Sequence, residues 1–320
     1  MKTTAVLAVA LGCCASGCVD VHTNPPRATP PYAEIYQRGT NVFADAAFFK
    51  PSETRTNELS FTLAPLILQQ VTGEEGRFSV PDRFGTLSVS NATLVLDRSR
   101  AALYWEADTV QVRGKAHARF SYVWCYSHGL DDSEQGPGRD DASAARAEAG
   151  LPLQGIRITL NPGGQPVIWE VLAEPSGAEL IFVSQTLEAA ALAEFGKPLP
   201  GRRHAIERSL EEAPNTIVAR VIDDGPVAMG PIVYLSAGTR GVSTVICRCM
   251  PAQVRKLLTT GTYELLPFQS GTTSSLLTQA RASSKERAAF WPGEHAGDEQ
   301  LEKCLRLPEA FFNPPGATGR

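Results

Sequence analysis

Residues 156–172 run Ile156-Arg157-Ile158-Thr159-Leu160, then Asn161-Pro162-Gly163-Gly164, then, past Gln165-Pro166, Val167-Ile168-Trp169-Glu170-Val171-Leu172. The first arm alternates apolar and polar side chains with the two-residue period of a strand that buries one face. The Asn-Pro-Gly-Gly step supplies the residues that reverse a chain tightly. The second arm returns with β-branched and aromatic residues, so the stretch predicts a β-hairpin. Val167, Trp169 and Val171 share a parity and are expected to share a buried face.

Downstream, Glu179–Val183 (ELIFV) is apolar on both faces and reads as an interior strand. Ser184 can cap a helix over Gln185–Phe195, Gly196 ends it, and Pro198 prevents its resumption. Thr216–Ile222, Ile232–Leu235 and Val242–Met250 read as strands. Pro251–Leu258 is expected to be helical, with proline in the first turn, and Leu276–Phe290 is a polar helix candidate. Upstream, Ala116–Tyr126 (AHARFSYVWCY) alternates over its length. Phe120, Tyr122, Trp124 and Tyr126 form an aromatic row that belongs in a core. His117, Arg119 and Ser121 fall on the other face, which is expected to be half-solvated. Phe84–Val89, Ala92–Leu96, Ala101–Glu106 and Thr109–Val112 are shorter strand candidates, the last turning at Arg113-Gly114-Lys115. Leu59–Val71 splits into two pieces at Pro65, and Ala44–Phe49 is expected to be a short helix before Pro51.

These elements define an α+β class: an antiparallel β-sheet-rich body with a few short helices. The acidic, Gly-rich stretch at residues 131–150 breaks the pattern. One arrangement this allows is two lobes, a β-rich N-terminal lobe over 41–130 and an α+β C-terminal lobe over 151–270, followed by a helical tail at 271–320. The composition is that of a globular chain, with 43% hydrophobic and 20% charged residues. A formal net charge of −4 gives no electrostatic drive toward nucleic acid.

The first 18 residues are of a different kind. Lys2 precedes the uncharged run Ala5–Leu11, and Ala15-Ser16-Gly17-Cys18 follows. An apolar run of this length suits a signal peptide and is far short of the roughly 20 residues of a membrane span. Small residues before a cysteine resemble the lipobox of bacterial lipoproteins, with Ala15 standing where leucine is commoner. The resemblance implies a signal peptide over residues 1–17, cleavage before Cys18 and acylation there, so that the chain is held on a bilayer by its lipid. Cys13 and Cys14 are rival acceptors. Residues 18–40 then form a tether, with four prolines between Val19 and Pro31.

Of the seven cysteines, removal of residues 1–17 and acylation of Cys18 would leave four: Cys125, Cys247, Cys249 and Cys304. In an exported protein they can form disulfides, stay as buried thiols, or hold a metal. Cys247 and Cys249 at i and i+2 of a strand lie about 7 Å apart, so they are expected not to bond to each other; buried, unreactive thiols are the first expectation, and if either is oxidised its partner is Cys304 or Cys125. Asp223 and Asp224 sit in a stiff loop, Asp223-Asp224-Gly225-Pro226, where they could act as acid and base or simply make a turn. Gly201-Arg202-Arg203-His204 is a basic spot expected to be solvated. Neither a zinc-protease helix motif, nor a phosphate-binding glycine loop, nor a nucleophile elbow occurs.

The reading is therefore a membrane-anchored cell-envelope lipoprotein with a non-enzymatic binding or scaffolding role, its membrane partner reached through the N-terminal lipid, with no nucleic-acid partner and no cofactor expected. The location implied is the outer membrane or the periplasm-facing inner membrane. The competing reading is an envelope hydrolase or a thiol or metal protein that uses the Cys247/Cys249 strand or the Asp223/Asp224 loop.

Overall fold

A computed structural model describes residues 43–55, 57–71, 84–90, 93–126, 153–174, 176–237, 240–252, 254–268 and 300–314. Thirteen strands are formed: β1 (Phe43–Pro51), β2 (Leu66–Gln70), β3 (Thr86–Ser90), β4 (Thr93–Asp97), β5 (Ala102–Val112), β6 (Lys115–Cys125), β7 (Leu153–Leu160), β8 (Pro166–Leu172), β9 (Glu179–Ser184), β10 (Thr216–Ile222), β11 (Pro231–Leu235), β12 (Val242–Cys247) and β13 (Val254–Pro267). The helices are short: α1 (Leu59–Thr62), α2 (Gln185–Phe195), α3 (Gln300–Cys304) and α4 (Glu309–Phe312).

Eleven strands hydrogen-bond side by side in the order β10-β9-β8-β7-β6-β5-β13-β1-β2-β11-β12, and β3 and β4 make a separate hairpin. The large sheet is mixed, mostly antiparallel, and nearly barrel-shaped. Its edge strands, β10 and β12, come within 8 Å of each other between Cα atoms without being ladder neighbours. A seam therefore runs between them. The meander β5 to β9 is built by local hairpins. At Arg113-Gly114 the β5–β6 connection takes φ of 49° and 73°, so the two-residue turn has the positive φ that a right-twisted hairpin favours at both central positions. The predicted 156–172 hairpin is present as β7 and β8.

A strand buried on one face must put that face against other strands, and here all eleven turn one face inward. The main core draws on every strand of the sheet, with Phe120, Tyr122 and Trp124 of β6, Ile156 and Ile158 of β7, Trp169 of β8, Phe182 of β9 and Tyr263 of β13 among its members. The aromatic row of β6 is thus core, as its alternation predicts. At the 59–65 segment, Leu63 and Ala64 enter the same core, and the hydroxyls of Tyr122 and Tyr263 donate to the carbonyls of Ser60 and Pro65, both at 2.7 Å. On the outer face, Ile168, Ile181, Val183 and Val218 pack under α2, α3 and α4 through Leu187, Leu301, Phe311 and Phe312. The β3–β4 hairpin covers another stretch of outer face near Tyr104, Val123 and Cys125.

Several expectations are corrected. Ala44–Phe49 is not a helix: it lies within β1, paired antiparallel to β2 on one side and parallel to β13 on the other. Pro251–Leu258 is not a helix either; its second half opens β13, because parallel pairing with β1 satisfies the backbone that a helix would have satisfied internally. Of the two pieces of Leu59–Val71, the first is the helical turn α1 and the second is β2. His117, Arg119 and Ser121 are buried rather than half-solvated: the imidazole of His117 stacks on Phe311 of α4 with centroids 4.2 Å apart, and the guanidinium of Arg119 pairs with Asp108. Val167 departs from Trp169 and Val171 because a register shift between β7 and β8 turns it to the outer-face cluster. Strands from both sides of residues 131–150 are neighbours in one sheet, β6 beside β7. Residues 1–42, the 131–150 stretch and the 276–290 helix candidate lie outside the described residues.

Candidate functional site

The sequence positions three chemical groups near one end of the seam. Strand β10 ends at Ile222 and releases Asp223-Asp224. Strand β12 ends at Cys247 and releases Arg248-Cys249. The β7–β8 turn and the start of β8 bring Asn161, Gln165 and Trp169. Together with Thr186 at the start of α2 and the 225–231 loop, these residues, Cys249 excepted, line a cleft of about 150 Å³. A smaller recess of about 20 Å³ continues from it into the seam between β10 and β12, sharing Asp223 and Cys247 with the cleft.

Backbone geometry holds the cleft open. Gly230 packs against α1's exit: its N–H donates to the Thr62 carbonyl at 2.9 Å, and a Cβ there would overlap the carbonyl oxygens of Leu63 and Ala64. Glycine is therefore required for the 225–231 loop to approach the 59–65 segment. Arg248 ties the turn after β12 to the same 59–65 segment by donating from Nη2 to the Ala64 carbonyl. Burial pushes its guanidinium pKa down, with the hydroxyls of Tyr263 and Tyr122 opposing. Beside the cleft, the buried indole Nε1 of Trp169 and the Nε of Arg248 find no hydrogen-bond partner among the described residues. An unpaired buried donor costs about 1–3 kcal/mol.

Asp224 is occupied structurally. Its carboxylate accepts from the Thr186 N–H at 2.9 Å and from the Thr186 hydroxyl at 2.5 Å. Ser184, one residue before the helix, accepts from the Leu187 N–H at 3.2 Å, as its capping position predicts. Two oxygens thus satisfy orphan donors of the first turn, and a negative charge sits where the helix dipole favours it. Asp223 is exposed, as Asp224 is, and lines both the cleft and the seam recess.

The cysteine expectation is overturned. Cys247 and Cys249 are bonded to each other. The strand stops at Cys247, and Arg248-Cys249 forms a turn, so the two Cα atoms lie 5.1 Å apart rather than at the spacing of an extended pair. The Cys249 N–H donates to Cys247 Sγ at 3.1 Å. Cys247 is buried and Cys249 is exposed. Cys125 and Cys304 are free and buried. Burial pushes the Cys125 thiol pKa far up. Burial and then the Glu179 carboxylate do the same for Cys304, whose Sγ donates to Glu179 Oε2 at 2.8 Å. They sit in different clusters, so the four cysteines are not brought together. No group of three potential metal ligands occurs among the described residues. Arg202 is not solvated: it is 3% exposed at its side chain, faces Glu207 at 3.7 Å and donates to the carbonyls of Thr216 and Ser209.

The structure thus brings the Asp223/Asp224 loop and the Cys247/Cys249 segment into one place, with Cys249 Sγ 4.0 Å from the Asp224 carbonyl oxygen. Sequence reasoning named both features separately. It missed Trp169, Thr186 and Arg248 as their neighbours, because their meeting depends on a near-closure of the sheet that no local pattern encodes. In comparison with known proteins, the chain matches no family model, no curated protein and no solved structure.

Proposed function

We propose that this chain is a lipid-anchored protein of a bacterial cell envelope whose barrel-like body binds a ligand in the cleft at the end of the β10–β12 seam. The Ala15-Ser16-Gly17-Cys18 sequence supports the anchor. No described helix is long and apolar enough to cross a membrane. The observation that carries the binding reading is the cleft itself: an apolar wall of Val167, Trp169 and Met229, a polar rim of Thr186, Asp223 and Arg248, and a mouth beside an unpaired edge of the sheet. A few placed polar groups over an apolar wall is the usual make-up of a small-ligand site. The ligand should present hydrogen-bond acceptors to Trp169 and Arg248 and a donor to Asp223.

Two measurements test this together. Palmitate labelling of the full chain in a bacterial host should be lost in Cys18→Ala; full labelling of that variant moves the anchor to Cys13 or Cys14 or removes it. Thermal shift of the mature body against envelope glycans, peptides and phospholipid headgroups should find a class that raises Tm for wild type and not for Asp223→Ala. Stabilisation that is equal in that variant, or absent with every class, rejects the cleft as the binding site.

A further inference from the structure

We infer that the Cys247–Cys249 disulfide is a thiol–disulfide exchange site that oxidises a dithiol on another polypeptide. The bond joins residues only two apart in sequence. It closes so short a loop that it restrains little of the unfolded chain, so stabilisation does not account for it. Its two sulfurs differ in access. Cys249 is exposed, whereas Cys247 is 6% exposed and forms part of the core. An incoming thiolate therefore meets Cys249, and the departing sulfur is that of Cys247. Cys247 Sγ already accepts the Cys249 N–H, so charge developing on it is met by a backbone donor.

The surroundings fit a polypeptide client. Near the disulfide, Val227 is 59% exposed and Met250 is 41% exposed. Val227 lies on the loop after Asp224, whose backbone carbonyl oxygen is 4.0 Å from Cys249 Sγ, and Met250 follows Cys249 in the chain.

The exchange balances without a further reactant. The client's first thiolate attacks Cys249 Sγ. The Cys249–Cys247 bond breaks, its electron pair leaves on Cys247 Sγ, and that thiolate takes a proton. The client's second thiolate then attacks its own sulfur in the mixed disulfide and Cys249 leaves as a thiolate, which is protonated in turn. Two electrons pass from client to protein, and the two protons lost by the client thiols are those gained here.

The test uses the oxidised full chain and a reduced synthetic peptide with two cysteines, followed by acid quenching, alkylation and peptide mass mapping. The expected result is one peptide disulfide formed for each Cys247–Cys249 bond lost, in native buffer, with Cys125 and Cys304 unalkylated. Reduction seen only after denaturant is added overturns the proposal. A second arm separates access from folding. Reduced Cys247→Ser should form a mixed disulfide with oxidised glutathione at Cys249, and reduced Cys249→Ser should react many-fold more slowly at Cys247, both variants first being shown to unfold with a cooperative thermal transition. Equal rates at the two positions overturn it as well.

Discussion

Two residues carry most of what single substitutions can report. Trp169 is 5% exposed and belongs to the main core while also forming the wall of the cleft. Trp169→Ala removes a large buried surface that its strand neighbours cannot refill, so it should destabilise by roughly 3–5 kcal/mol in a denaturant titration. A midpoint unchanged from wild type would place the ring at the surface. His117 offers a pH test. Burial pushes its pKa below 6.5, the Leu160 carbonyl at 3.1 Å opposes and Lys115 adds to the lowering, and its Nε2 has no partner among the described residues while the ring lies on Phe311. The neutral ring is therefore the folded form. The unfolded chain binds the proton first as the pH falls, so stability present above about 6.5 is progressively lost between that value and the lower folded pKa. Urea unfolding across this window should show that loss in wild type and a smaller one in His117→Gln. Equal slopes would mean that His117 titrates alike in both states.

The elements divide by how local their causes are. The hairpin of β7 and β8 was legible because Asn161-Pro162-Gly163-Gly164 and the alternation around it are contiguous. Helix α2 was legible because Ser184, Gly196 and Pro198 mark its ends. Ala44–Phe49 and Pro251–Leu258 were not, since β1 and β13 become strands by pairing in parallel across about 200 residues of chain, which no propensity window registers. The turn at Arg248-Cys249 was missed for a related reason: Val245, Cys247 and Cys249 keep strand alternation after the strand itself has ended. The cap of α2 is the element whose contribution can be isolated. Asp224→Ala leaves the Thr186 N–H and hydroxyl without their acceptor and should cost about 1 kcal/mol, in the range of a lost helix cap. Asp223→Ala, one residue earlier and exposed, should change stability by less than about 0.5 kcal/mol. Equal costs would show that the pair acts through its net charge rather than through the cap. Gly230→Ala should cost more than either, about 1–3 kcal/mol or above, because its Cβ meets backbone oxygens that cannot turn aside.

At the scale of the whole molecule, the question is whether the halves on either side of residues 131–150 are two bodies or one. A lobe that folds alone needs its own core, and neither half has one. The main core mixes Phe49, Leu103, Tyr122 and Trp124 from before that stretch with Ile156, Trp169, Phe182, Val233 and Tyr263 from after it. The sheet mixes them too: β6 pairs with β7 from Arg119↔Thr159 to Cys125↔Leu153, and β13 lies between β5 and β1. Separating the halves would expose both edges of each break and strip the aromatic row of β6 of its partners. A site for a specific protease placed between Gly136 and Pro137 makes the prediction direct. After complete cleavage the two fragments should elute together at the size of the intact chain and unfold in a single transition with a modestly lowered Tm. Fragments that separate on a sizing column, or that melt in two steps, would show two independently stable lobes and would mean that the β6–β7 ladder is a contact between domains rather than the middle of one sheet.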